Sequence, residues 1–272
     1  MGKQTNVPVL RFPEFKGEWE RTPLFKIAED GFSNGAFNDP KKVGSGYRII
    51  NVKDMYVDGT INVDVLTRVA IDQSEFLKNR VEYGDIFFTR SSIVKEGIAH
   101  SNVNLCNADD LTFDGHLIRM RPKKKEFDPV FLYYNFATPK ARLQFVKRGK
   151  TTTMTTIGQN DIATVEIDYP TLIEQTKIAN FITAVDTKLH ALQKKKNLLE
   201  HYKKGIMQKL FSQELRFKDE KGKDFPDWKK KNGNLIFESI SDKNHNSDLP
   251  ILAITQEHGA IPRDLIDYSV SV

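Results

Sequence analysis

The sequence predicts an α+β protein with three parts. These are a mixed α/β domain over residues 1–170, a long coiled-coil-forming helix over 171–211, and an incomplete second copy of the domain over 212–272. Short β-branched and aromatic runs separated by turn residues predict the first part. An uninterrupted helical pattern after Pro170 predicts the second, and a motif from the start of the chain that recurs after this helix predicts the third.

Several strands of the first domain are predicted from β-branched and aromatic runs. One run spans residues 47–52 and another spans 85–90, and each follows a glycine-containing turn. The dipeptide Asp58-Gly59 indicates a tight turn into a further strand over 60–63. The sequence therefore predicts a domain with many short strands.

A further strand and a helix are predicted in the second half of this domain. Residues 116–121 alternate apolar with basic or polar side chains, which is typical of a half-buried strand that would hold His116, Arg119 and Arg121 on one face. The segment 127–146 is predicted to be helical. Its candidate buried positions are Leu132, Tyr133, Phe136, Leu143 and Val146.

Pro170 marks the start of a different pattern. Thr171 and Glu174 fit a capping box, in which the two side chains satisfy each other's backbone N–H groups. From there a helical pattern continues to about Phe211, long enough for a rod of roughly 60 Å. Apolar residues at alternating steps of four and three indicate a coiled-coil seam that needs a partner helix. The seam residues expected to pair are Ile178, Ile182, Val185, Leu189, Leu192, Leu199, Ile206 and Leu210.

A motif near the start of the chain recurs after the long helix. Leu-Arg-Phe stands at 10–12 and again at 215–217, and the two tryptophans of the chain, Trp19 and Trp228, follow the two copies. Two further blocks match in order: 48–52 with 250–254, and 59–61 with 259–261. Much less than one period follows the second copy, so we expect an incomplete domain that is poorly ordered or docks on another surface. The matching places of the tryptophans favour core packing over stacking on nucleobases.

The composition predicts a cytoplasmic protein without a membrane span. Lys and Arg number 41 against 36 Asp and Glu, a formal charge of +5, and no stretch approaches the roughly 20 apolar residues that cross a bilayer. The single cysteine, Cys106, excludes an intrachain disulfide. No metal is predicted, because no metal-like spacing relates the six histidines, which are His100, His116, His190, His201, His245 and His258. No cofactor is predicted, because no glycine-rich dinucleotide fingerprint is present. Basic residues occur in several short runs, which indicates basic patches offset by acidic surface elsewhere.

Two motifs mark the ends of the long helix. They are Pro-Thr-Leu-Ile-Glu-Gln-Thr-Lys-Ile-Ala at 170–179 and Lys-Lys-Gly-Ile-Met-Gln-Lys-Leu-Phe at 203–211. They resemble the start and the end of the central conserved helix in specificity (S, or HsdS) subunits of type I restriction–modification enzymes. Residues 84–90 are similar to a strand in the middle of that family's recognition domains, and 155–162 resemble the segment before the final strand. The resemblance covers residues 10–231.

This resemblance implies a function in DNA recognition and none in catalysis. In the family, each target-recognition domain reads one half of a split target in double-stranded DNA, and spacer helices set the distance between the halves. Modification (methyltransferase) subunits and a restriction (motor and nuclease) subunit assemble around the specificity subunit. On this basis 1–170 is the first target-recognition domain, 171–211 the central conserved spacer helix, and 212–272 a linker with an incomplete second target-recognition domain. The absence of catalytic signatures argues against a self-contained nuclease or methyltransferase.

The chain departs from the family in lacking the bulk of the second domain and the second helix. The seam of the long helix therefore lacks its intrachain partner, and we expect two chains to pair helix to helix as a homodimer. The alternative is a non-functional or decoy specificity subunit that acts as a coiled-coil scaffold. Salt-dependent DNA binding distinguishes the two, since phosphate contacts weaken steeply with salt.

Candidate DNA-binding side chains lie in three turn-rich segments and one strand. Basic and hydroxyl groups bind phosphates, while Arg, Asn and Gln read base edges. The candidates are Thr89, Arg90, Ser91, Ser92, Lys95, Arg119, Arg121, Lys147, Arg148, Lys150, Thr151, Thr152, Thr153, Thr155, Thr156, Gln159 and Asn160.

Overall fold

Short strands, short helices and one long helix make up the chain, which confirms the predicted fold class. The computed structural model describes residues 6–37, 40–240, 250–256 and 259–265, and the chain divides into two units, Met1–His201 and Tyr202–Val272. The strands of the first unit are β1 (Glu20–Pro23), β2 (Ala28–Asn34), β3 (Val43–Ile50), β4 (Arg68–Val69), β5 (Ile86–Thr89), β6 (Ser91–Ser92), β7 (Ser101–Val103), β8 (Leu111–Phe113), β9 (Leu117–Pro122), β10 (Lys150–Thr151), β11 (Thr155–Thr156) and β12 (Glu166–Tyr169). The helices are α1 (Leu24–Ile27), α2 (Gln73–Asn79), α3 (Pro129–Ala137), α4 (Pro139–Arg148), α5 (Gln159–Ala163) and α6 (Leu172–Phe211).

A four-stranded antiparallel sheet of order β2–β9–β5–β7 lies at the centre of the first unit. Ile86 and Phe88 of β5 pack into a core that also contains Phe136 and Phe145 from α3 and α4. Phe87, on the opposite face of the same strand, packs into a second core. Because β5 is buried on both faces, its sequence is a continuous apolar run rather than an alternating one.

In the described part of this unit, three smaller sheets accompany the central sheet, and one of them has the order β10–β11–β6. In the other two, β3 pairs antiparallel with β4 and parallel with β8, and β1 pairs antiparallel with β12 just before α6 begins. Arg48 of β3 donates from Nε to Asp110 at 2.9 Å, and Arg68 of β4 lies 3.1 Å from the same carboxylate. The hydrogen bond from Arg48 holds the pKa of Asp110 below its ordinary value.

The strand predicted over 60–63 is wrong. Thr60 is in a bend, residues 61–62 are irregular, and a 3-10 helix follows at Val63–Val65. The Asn62 side chain accepts a hydrogen bond from the Asp64 backbone N at 3.1 Å, and such local capping competes with pairing in a sheet. The strand predicted over 116–121 is confirmed as β9, but His116 lies in the turn before it and does not share its face.

The single helix predicted over 127–146 is two helices, α3 and α4, which meet at Thr138. Pro139 has no backbone N–H and disfavours a helical conformation in the residue before it, so Thr138 is extended with ψ 148°. Thr138 then caps α4 by accepting from the backbone N of Ala141. The break shifts the buried face of α4, so that Phe145 is buried while Leu143, a predicted core residue, is 54% exposed. The other four predicted core positions are buried or half-buried.

The long helix is confirmed as α6, but its start is not held by the predicted capping box. The carboxylate of Glu174 is 1% exposed and accepts instead from Nε and Nη2 of Arg11, both at 2.7 Å, and from Nε1 of Trp19 at 3.3 Å. Trp19 packs against the main core, with its ring edge-to-face on Phe131 at 6.1 Å. Core packing is therefore confirmed for the first of the two tryptophans.

The second unit contains the end of α6 and the second copy of the repeat. Strands β13 (Leu252–Thr255) and β14 (Gly259–Pro262) form an antiparallel hairpin. Trp228 lies edge-to-face on Phe211 at 6.1 Å and remains 55% exposed.

Candidate nucleic-acid interface

Three of the predicted DNA-binding segments meet in one small antiparallel sheet of order β10–β11–β6. Thr155 pairs with Ser92 and Thr156 with Ser91 across one side of β11. Lys150 and Thr151 pair across its other side. Segments more than fifty residues apart in sequence therefore present their polar side chains next to one another.

Arg142 of α4 anchors the loop that follows β6, and it was not identified from the sequence. Its guanidinium donates to the backbone carbonyls of Glu96, Ile98 and Ala99, at 2.8, 2.5 and 2.7 Å. Burial lowers the pKa of Arg142, because desolvation disfavours the charged form. The side chain therefore positions the loop that carries Lys95.

Three of the predicted contact residues support the framework. Thr89 and Thr155 are buried, and the hydroxyl of Thr89 accepts from the backbone N of His100 at 3.0 Å. Arg148 donates to the hydroxyl and the carbonyl of Thr164, at 2.9 and 3.0 Å, which ties the end of α4 to the chain after α5. The structure therefore uses these three side chains internally.

The remaining members of the three segments are exposed or half-exposed around the sheet. Lys150 lies 3.4 Å from Asp161, which offsets part of its charge, and Arg90 makes one long contact of 3.4 Å to the carbonyl of Gly115. The side chains of this set, among which Ser92, Thr151 and Gln159 also make hydrogen bonds within the protein, surround the sheet. They are Arg90, Ser91, Ser92, Lys95, Lys147, Lys150, Thr151, Thr152, Thr153, Thr156, Gln159 and Asn160.

A chain of amide hydrogen bonds orients Gln159 at one edge of the interface. Its Nε2 donates to Oδ1 of Asn34 at 2.6 Å, and Nδ2 of Asn34 donates to the carbonyls of Gly115 and Leu117 at 3.2 and 2.9 Å. Asn34 was missed because a lone asparagine at a strand end gives no sequence signal. Gly115 lies in the turn before β9, which also contains His116. Nδ1 of His116 lies 2.7 Å from Asp114, and the His116 side chain is 63% exposed.

The structure does not bring Arg119 and Arg121 to this sheet. Arg119 donates to the carbonyl of Arg80 at 2.8 Å and lies over the ring of Phe113. Arg121 forms a bidentate pair with the fully buried carboxylate of Asp85, at 2.8 and 2.9 Å. This hydrogen bonding raises the pKa of Arg121. Both side chains have protein partners on the opposite side of β9 from the main core.

Small apolar side chains accompany the polar ones at this interface. Ile93 and Val94, in the loop after β6, and Met154, in the hairpin between β10 and β11, are exposed. Apolar groups of this kind can contact the methyl group of thymine in a major groove. The surface thus combines basic, hydroxyl, amide and apolar groups.

The predicted helix-pairing residues of α6 differ in exposure along the helix. Ile178 and Ile182 are half-buried, and Ile178 packs against the main core of the first unit. In the middle of the helix the seam faces solvent, and Val185, Leu189, Leu192 and Leu199 are exposed. Ile206 and Leu210 are half-buried in the second unit.

Within the described ranges, no three His, Cys, Asp or Glu side chains come together as a group that could hold a metal ion. His245 and His258 lie outside the described residues. Among the helices of the described part of the chain, none combines the length and the apolar character needed to cross a membrane.

Known proteins resemble this chain in sequence and in fold. A curated relative, the putative type I restriction enzyme MjaX specificity subunit of Methanocaldococcus jannaschii, is 27% identical over 212 residues, which cover 77% of this chain and 49% of the relative. The chain thus spans about half the length of that relative. A solved chain from work on complex assembly and conformational transition of the type I R-M system aligns with a TM-score of 0.50 and 18% identity, over 74% of this chain and 46% of the other. The type I restriction-modification S subunit from M. genitalium aligns with a TM-score of 0.49 and 17% identity, over 80% and 50%.

The sequence profile of the type I restriction modification DNA specificity domain matches residues 26–201. This range contains the central sheet, the sheet β10–β11–β6 and the first three quarters of α6. Because the match covers more than half of the chain, the protein belongs to the type I restriction modification DNA specificity family.

Proposed function

We propose that this chain reads one half of a bipartite target in double-stranded DNA through the sheet β10–β11–β6 and its loops. One observation carries the proposal: three separate polar segments meet on one exposed surface of a domain from a DNA specificity family. In a complete complex the chain supplies recognition, while modification (methyltransferase) subunits and a restriction subunit supply the chemistry.

The side chains of this surface divide into two roles. Lys95, Lys150 and Arg90 are exposed cations suited to phosphates, which position a protein on the duplex. Gln159 and Asn160 carry amides that can read adenine, and the hydrogen bond from Gln159 to Asn34 restricts its orientation. Discrimination between bases therefore depends on the amides and affinity on the cations.

Binding of a randomised duplex pool at several salt concentrations tests the cationic role. In a plot of log K against log salt concentration, binding falls as salt rises. The Lys95→Ala/Lys150→Ala double variant should make this fall less steep, by about 0.9 in slope for each phosphate that the chain no longer neutralises. Lys125→Ala, which removes an exposed lysine from the loop before α3, is the matched control and should leave the slope unchanged. An equal decrease in both variants would mean that binding reflects overall charge rather than this surface.

Mapping of N6-methyladenine in cells tests sequence reading. The cells carry the matching modification subunit and this chain as their sole specificity subunit, and a split methylated motif is expected. Gln159→Ala should relax the preference at one base position while the chain stays folded. The absence of any new motif from a soluble, expressed chain would favour the decoy interpretation.

We further propose that two chains pair through α6, which would place two recognition surfaces on one symmetric split target. The seam residues Leu189, Leu192 and Leu199 are each more than half exposed, and leucines repeated at this spacing are costly to leave in water. A parallel or antiparallel partner helix would bury them.

Light scattering of purified chain at micromolar concentration tests this pairing. The unmodified chain should be a dimer, and Leu189→Glu/Leu192→Glu should convert it to a monomer. Lys194→Glu changes the charge on the opposite face of the helix and should leave the dimer intact. A monomeric unmodified chain would refute pairing through α6 without affecting the proposal for the DNA-binding surface.

A further inference from the structure

The two copies of the Leu-Arg-Phe motif build the same loop. We call residues 10–19 the first Arg–Trp loop and residues 215–228 the second. Arg11 donates to the carbonyls that lie two and three residues before Trp19, at 2.5 and 3.3 Å. Arg216 donates to the carbonyls that lie two and three residues before Trp228, both at 2.7 Å. The second loop has a longer connection between its arginine and its tryptophan, yet the hydrogen bonds are the same. The repeat is therefore present in the structure as well as in the sequence.

The first Arg–Trp loop holds the start of a helix. Its arginine forms a bidentate pair with Glu174 in the first turn of α6, and Trp19 donates to the same carboxylate. Two turns further along the helix, Phe181 lies edge-to-face on Phe12 at 5.8 Å. Between them Lys177 pairs with Glu14 and lies over the rings of Phe12 and Phe15. A buried glutamate, a lysine and an aromatic side chain are thus the features of the helix that contact this loop.

The second Arg–Trp loop has the same groups, and within the described ranges the helix residues beside it, Leu210 and Phe211, come from the end of α6 and not from a helix start. In the described part of the chain the ion-pair partner of Arg216 is Asp227, at 3.1 Å, and the Asp227 side chain is 97% exposed. Such an exposed pair contributes little, so a carboxylate delivered into the loop can replace it. Phe217, which corresponds to Phe12, is 71% exposed.

An apolar groove of about 320 Å³ lies beside this arginine. It is lined by Leu210, Phe211, Leu215, Phe217, Phe225 and Trp228, together with Arg216. A groove with apolar walls and one cation fits a ligand that is largely apolar and carries one negative charge. The start of α6 offers a carboxylate and an aromatic ring, since Glu174 and Phe181 lie on the side that contacts the first loop, together with Lys177.

We propose that the second Arg–Trp loop is a docking site for a helix start that carries a glutamate in its first turn and an aromatic side chain two turns later. The glutamate pairs with Arg216, and the aromatic ring packs on Phe217. The start of α6 in the same chain is held by the first loop, so the docked helix is a separate segment of the same type. The proposal does not depend on DNA recognition.

Fluorescence anisotropy with a labelled peptide of residues 170–190 tests the site on the full chain without DNA. The unmodified chain should bind the peptide, and Arg216→Glu should weaken binding about thirtyfold or more, because it removes one partner of a charge pair that docking desolvates. A peptide with Glu174→Arg should restore binding to the Arg216→Glu chain. Lys218→Glu changes the charge of an exposed neighbour in the same loop and is the matched control.

Three results would overturn the proposal. They are no binding by a folded chain, equal weakening by Arg216→Glu and Lys218→Glu, and loss of binding on Arg11→Ala but not on Arg216→Glu. The last result would mean that the peptide displaces the start of α6 from the first loop. Rescue by the charge-reversed peptide supports the proposal even if Arg216→Glu lowers the stability of the loop.

Discussion

Replacement of Arg121 by alanine should destabilise the fold without weakening the intrinsic affinity for DNA. The sequence pattern places this arginine among the DNA contacts, whereas the structure pairs it with Asp85. The Asp85 side chain is fully buried, and its carboxylate accepts from Nε and Nη2 of Arg121 at 2.8 and 2.9 Å and from the backbone N of Glu82 at 2.9 Å. Arg121→Ala would remove two of these three hydrogen bonds and leave a buried charge without a counterion.

The cost follows from that burial. Breaking a buried ion pair by removing one partner costs about 3–5 kcal/mol, because the remaining charge is uncompensated. The second partner of Arg121, Glu82, is half-exposed and adds little. For a domain of this size we expect the melting temperature to fall by roughly 6–20 °C. Replacing both partners by apolar residues, Asp85→Leu with Arg121→Met, should recover much of the stability.

Urea unfolding followed by circular dichroism measures the stability, and DNA titration at a temperature where the variant is folded measures the affinity. Lys150→Ala should show the opposite result, with unchanged stability and a smaller salt dependence of binding. Arg121 would be a DNA contact after all if its alanine variant kept the unmodified melting temperature and lowered the salt slope by about 0.9.

Three other substitutions test local features of the fold. Arg48 holds the pKa of Asp110 below its ordinary value of 3.8, so the stability from this pair is present above pH 3.8 and is lost as the pH falls through the lowered pKa. Asp110→Asn should make the free energy of unfolding, measured with urea, depend less on pH in this acidic range. Burial lowers the pKa of His100 below its ordinary value of 6.5, so stability should fall as the pH drops below 6.5, and His100→Asn should remove that dependence. A Cβ on Gly149 would lie 2.8 Å from Cγ2 of the buried Thr155, so Gly149→Ala should cost about 1–3 kcal/mol in the same assay. The control Gly205→Ala, in open space on α6, should stabilise by up to about 1 kcal/mol.

The elements with strong local signals were predictable from the sequence. The start and end of α6 follow from Pro170 and an unbroken helical pattern, and β5 follows from a β-branched, aromatic run after a turn. Family membership was also predicted from the motifs at the two ends of the helix, and the profile match confirms it. In each case the information lies within one contiguous stretch of residues.

The wrong predictions have two physical causes, which are a local constraint that was underweighted and partners that are distant in sequence. A helical pattern over 127–146 was extended through Pro139, although proline constrains the residue before it as well as itself. Thr171 and Glu174 fit a local capping box in the sequence, but Glu174 pairs with Arg11 instead. The two hydrogen bonds from Arg11 satisfy a carboxylate that is buried. A single sequence does not reveal which distant side chains pair. The pair of Arg121 with Asp85 was missed for the same reason.

The residue types of the candidate interface were predictable from the sequence, but the way in which its segments come together was not. Hydroxyl and basic residues near turns mark the three segments, but their meeting on one sheet depends on pairings between 91–92, 150–151 and 155–156. Nor does the residue type reveal which members face inward, since Thr155 is buried and Thr156 is exposed on adjacent positions of one strand.

Within the candidate interface, some side chains hold the framework and others are exposed on it. Thr89, Thr155 and Arg142 hold the frame through buried contacts, whereas Thr152, Asn160 and their exposed neighbours are not needed for it. Substitutions of exposed, weakly constrained side chains usually change stability by less than about 0.5 kcal/mol. The exposed set can therefore vary at little cost to the fold, while changes in the frame carry the cost of buried packing. Under the proposed role in DNA recognition, the exposed side chains can therefore acquire new sequence preferences on an unchanged framework.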